Sequence, residues 1–118
     1  MDIRAKFQLK SGQSFELVDA PDSVVALFSD LMSDVSGAME EALLVFVVSA
    51  AALENRSTLI VTAAAADRLT WVAYPKSKQL GTDLNRDTLA AFLAQRGVQP
   101  VRQIAVDDVW SALRFRPG

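Results

Sequence analysis

The chain contains neither cysteine nor histidine. Without cysteine there is no disulfide, no thiolate nucleophile and no sulfur-ligated zinc or iron–sulfur site. Without histidine the commonest general base near neutral pH and the commonest imidazole metal ligand are gone. Chemistry would fall to Asp, Glu, Lys, Tyr or Ser, and the balance is against an enzyme. Glycine is scarce, with 5 in 118 residues, and no G-x-G-x-x-G or Walker-type loop follows an apolar run. A Gly/Ser linker, an acidic tail and a low-complexity tract are also lacking. Lys and Arg are not gathered into a stripe, which argues against nucleic acid as a partner. The longest apolar stretch, Ala42–Val48 continuing through Ala50–Leu53, is broken by Ser49 and too short to cross a bilayer. Met1-Asp2-Ile3-Arg4 opens no signal peptide, so no membrane association and a cytoplasmic location are expected.

What is present is enough for a core. Hydrophobic residues make up 51% of the 118, and the formal net charge is −2. That composition and length fit one domain spanning residues 1–118.

Periodicity divides the chain into alternating strands and helices. Gln13–Val18 alternates polar and apolar residues and predicts a first strand, stopped by Asp19-Ala20-Pro21-Asp22. Pro21 favours a helix start, with Asp22 or Ser23 to serve its first N–H groups. Val24, Leu27, Phe28, Leu31, Met32 and Val35 recur at helical spacing up to Gly37. Ala42–Val48 is a continuous apolar run, as in a strand buried on both faces. Ser49 is a natural N-cap for Ala50–Ala66, which is preferred as a helix although Thr58–Thr62 alone also fits a strand. Leu69–Tyr74 predicts a third strand closed by Pro75. After the polar loop Lys76–Thr82, a cap is expected within Asp83-Leu84-Asn85. Leu89, Phe92 and Leu93 then mark a helix ended by Gly97. Pro100–Val106 and Trp110–Arg116, joined by Asp107-Asp108-Val109, predict an antiparallel hairpin. Ala5–Leu9 and Gln13–Val18 offer a second hairpin that would add an edge strand.

The resulting order, β-α-β-α-β-α-β-β, predicts an α/β domain. It would have a mostly parallel sheet, right-handed crossovers and helices on both faces, in three layers.

Three stretches carry a resemblance. Trp71-Val72-Ala73-Tyr74-Pro75-Lys76, Thr82-Asp83-Leu84-Asn85-Arg86-Asp87 and Asp107-Asp108-Val109-Trp110-Ser111-Ala112-Leu113-Arg114-Phe115-Arg116 are similar to a family of small bacterial proteins. That family is known as a domain of unknown function, so the likeness implies no activity. The succession of units also resembles a shortened class I methyltransferase, whose last strand inserts between its two predecessors. That likeness implies a sheet order 1-2-3-5-4 in a Rossmann-like fold. It does not imply the methyl-donor cofactor. The turn after the first strand, Asp19-Ala20-Pro21-Asp22-Ser23, has no glycine to let a ligand approach the backbone. No cofactor is expected, and fold-level analogy alone assigns no function.

Ligands of open α/β sheets sit beyond the carboxyl ends of the parallel strands. Lys76, Asp83, Asp87, Asp107 and Arg114 are the candidates there, with Thr82, Arg86, Asp108 and Ser111 nearby. Each has a structural alternative. Asp83 fits a helix cap, Asp87 a first helical turn, and Asp107 and Asp108 a turn bonding its own backbone. Two adjacent carboxylates are too few for a magnesium or calcium site. Trp71 and Trp110 fit a core better than a stacking platform. Arg114 is the outlier, because an inner strand should not carry an unpaired cation. Asp83, Asp87 and Asp107 are its expected partners, either in a structural ion pair or around an anion clamp.

The leading expectation is a non-enzymatic binding or interaction domain. The alternative is a small-molecule or anion site at the strand ends, in a degenerate cofactor pocket or a weak enzyme. An exposed first-strand edge further predicts pairing as a homodimer, which light scattering would read.

Overall fold

The computed structural model describes residues 6–9, 15–26, 42–76 and 79–118. The helix expected over Val24–Val35 lies outside these beyond Ala26, as do Gln13 and Ser14 of the first strand.

Residues with no polar side to turn outward occupy the middle of the sheet. Strand β1 is Phe15–Val18, β2 is Ala42–Phe46 and β3 is Thr70–Pro75, and every residue of β2 and β3 is buried. β4 is Val98–Ala105 and β5 is Trp110–Pro117. The sheet order is β1-β2-β3-β5-β4, so the last strand does insert between its predecessors. β1–β2 and β2–β3 are parallel pairs, whereas β3–β5 and β5–β4 are antiparallel. Four strands thus run one way and β5 alone runs against them, which divides the pairings evenly, because a reversed strand in the interior converts two ladders at once.

The sheet is accompanied by the α-helices α1 (Asp22–Val25), α2 (Ala50–Ala65) and α3 (Arg86–Ala94) and by a 3-10 turn at Gln79–Gly81. Ser49 caps α2, its hydroxyl accepting from the Ala52 N–H at 3.1 Å. Leu53, Ile60, Ala63 and Ala64 form the buried side of α2, so Thr58–Thr62 is helical. The helix ends without glycine. Asp67 takes the left-handed conformation at φ 61°, while the Arg68 and Asp67 N–H groups return to the carbonyls of Ala63 and Ala64. That is the Schellman arrangement with aspartate where glycine is usual. In α3 the cap is Asn85 and not Asp83: Asn85 and Thr88 exchange reciprocal bonds of 2.9 and 3.0 Å.

Both α2 and α3 pack on one face, over Leu43, Val45, Val72, Leu113 and Phe115. The helices of the β2→β3 and β3→β4 connections thus lie on the same side of the sheet. The opposite face carries Leu44, Phe46, Trp71, Ala73, Trp110 and Ala112. Among the described residues it is covered by Val24 of α1 and by Phe7, not by a long helix. Lys6–Leu9 does not add an edge strand. This segment turns over the sheet so that Phe7 packs edge-on against Phe15 and Trp71, at centroid distances of 5.2 and 5.0 Å. The Trp71 indole N–H donates to the Phe7 carbonyl at 3.1 Å. Both tryptophans are core residues, 0% and 2% exposed.

β4 is an edge among the described residues. It carries Pro100, Arg102 and an irregularity between them that leaves Val101 out of register. Such features discourage a further strand from pairing.

Candidate functional site

The carboxyl ends of the parallel strands hold polar groups, and the protein's own donors take them up. Asp19 follows β1 directly, in the left-handed conformation at φ 60°. Its carboxylate accepts from Arg56 Nε at 2.7 Å and Nη2 at 2.9 Å, a bidentate fork from α2. This bond and the Asp19 charge raise the Arg56 pKa above its ordinary value.

Beyond β2 lies the N-terminus of α2, where this class of sheet receives an anion. Here Asp83 Oδ1 accepts from the Ala50 N–H at 2.8 Å. Together with Ser49, the loop before α3 thus supplies acceptors to two of the first N–H groups of α2. Replacing Asp83 with alanine should cost about 1 kcal/mol, the usual effect of losing a helix cap, while asparagine keeps the acceptor and most of the stability. Urea midpoints of the two variants check this, and equal losses would contradict it.

Beyond β3, the Lys76 N–H donates to the Val109 carbonyl at 2.7 Å, tying the strand end to the β4–β5 turn. In that turn Asp107 Oδ1 accepts from the Val109 and Trp110 N–H groups, both at 2.8 Å. Asp87 is 92% exposed and, among the described residues, its carboxylate pairs with Arg86, at 3.6 Å. Thr82 bonds the Leu84 N–H within its own loop, at 3.0 Å. Among the described residues no three carboxylates gather as around a metal ion. Nor is any helix among them long and apolar enough to cross a membrane.

Arg114 does not join this group. Antiparallel pairing sets it opposite Trp71, near the start of β3, whereas the Asp107 turn lies beyond the end of β3, where Pro75 faces Trp110. Alternation along β5 also turns Arg114 to the face of Trp110 and Ala112, away from α3. Asp83, Asp87 and Asp107 are therefore not its partners. Its Nη1 donates to the neutral Gln8 Oε1 at 2.6 Å, and its Nε is buried with no acceptor. Burial lowers the Arg114 pKa first, and Arg116 and Arg102 add to the effect against Asp67.

Sequence reasoning passed over Tyr74 and Gln103 as site residues and named Ser111 only as a neighbour of the candidates. Tyr74 and Ser111 face each other across β3 and β5, and Gln103 Nε2 donates to the Tyr74 hydroxyl oxygen at 3.1 Å. Their signal was available, since alternation assigns Tyr74 and Ser111 to the helix-covered face. Burial raises the Tyr74 pKa, and Asp87 adds to this against Arg86 and a bond to Ser111. The folded chain thus favours the neutral phenol. That contribution is fully present below the unfolded pKa of about 10 and is lost as pH rises through the folded value. Tyr74 is the only tyrosine, so phenolate absorbance titrates it alone. Its midpoint should lie above that of the urea-unfolded chain, and coincident midpoints would contradict its burial.

Of the five residues expected to converge, Lys76 and Asp107 are linked only through Val109, whose carbonyl takes the Lys76 backbone N–H and whose N–H goes to Asp107. Asp83 serves α2, Asp87 points to solvent, and Arg114 belongs to another region. As a constellation this end of the sheet is a set of internal caps and ties. Compared with protein-family models, curated proteins and solved structures, the chain matches none.

Proposed function

We propose that the chain is a non-enzymatic binding or interaction domain. Its scaffold is read as a shortened, layered Rossmann-like fold of the methyltransferase type. The inserted β5 of the 1-2-3-5-4 order supports that scaffold. The observation that carries the functional reading is the Asp83 carboxylate on the first N–H of α2. A nucleotide or methyl-donor cofactor would need that helix end, or the glycine-free turn at Asp19, and both already hold side chains of the protein. The same holds for Asp107, whose bound oxygen serves two backbone N–H groups and is poorly placed as a general base.

The experiment is a turnover assay of the purified chain with S-adenosylmethionine, nucleoside triphosphates and phosphoesters. A thermal scan with S-adenosylmethionine accompanies it, since a ligand of the folded state raises the melting point. No turnover and no shift are expected. Turnover abolished by Lys76→Ala or Asp107→Ala would overturn the proposal.

A further inference from the structure

We draw no further inference here: the strongest candidate, the exposed apolar tip of the β3–α3 loop at Leu80, which is held in the left-handed conformation at φ 54°, carries nothing because nothing in the structure shows what covers it.

Discussion

Replacing Phe115 with alanine should cost the protein about 3–5 kcal/mol, the range for emptying a large aromatic site in a packed core. Phe115 lies on the inner strand β5, completely buried, between Thr70 of β3 and Pro100 of β4 in register. Its ring belongs to the cluster over which α2 and α3 pack, with Leu113, Leu89 and Leu93. A backbone laddered on both sides cannot easily collapse into the space, so the cavity term adds to the lost transfer free energy. Against a total of about 5–15 kcal/mol for a domain, this is a large fraction. Urea unfolding should show a midpoint much reduced at an unchanged slope. A loss below about 1 kcal/mol would mean that residue 115 faces water and that β5 is not where it is described.

The second large effect is on the other face. Phe7→Ala should also cost about 3–5 kcal/mol, although the residue precedes the first strand and belongs to no regular element of the sheet. The ring is 1% exposed and meets Phe15 and Trp71 edge-on, in the geometry aromatic pairs prefer. Truncation would open the Trp71 side of the core and loosen the carbonyl that accepts the indole N–H. The fluorescence of the chain should shift toward longer wavelength in the variant, alongside the lower urea midpoint. Phe7→Leu should lose less, since it keeps most of the volume. A stability like that of the parent would show that residues 6–9 merely lie against the sheet.

The strands and the closing hairpin were legible because their signals are local: a doubly buried run at 42–46, an alternating β5 and a three-residue turn. The order 1-2-3-5-4 was expected only from the resemblance to a shortened methyltransferase, because no local signal says where the last strand inserts. The faces of β5 were equally legible: Trp110 and Ala112 lie on one side, Leu113 and Phe115 on the other. What the sequence could not give was which polar side chain meets which backbone donor. Asp83 and Asn85 are equivalent as cap candidates, and only the path of the loop decides that Asn85 serves α3 and Asp83 reaches α2. The partner of Arg114 failed for a different reason. The search for an acid assumed that the strand ends gather on one side. The alternation that correctly placed Trp110 also sends Arg114 to the opposite face. The hairpin register held the better clue, since Ala105 opposite Ser111 carries forward to Arg102 opposite Arg114. Phe7 fell in a segment that alternation offered as an edge strand, and nothing in that pattern shows that the segment turns over the sheet instead.

Every placement above depends on residues 110–117 running between β3 and β4, antiparallel to both. Interstrand nuclear Overhauser contacts in solution read this directly. Contacts linking Trp71 with Arg114 and Ala73 with Ala112 are predicted, together with a separate series linking β5 to Arg102 and Ile104. Contacts from β3 straight to residues 98–105, with β5 at the outside, would contradict the account.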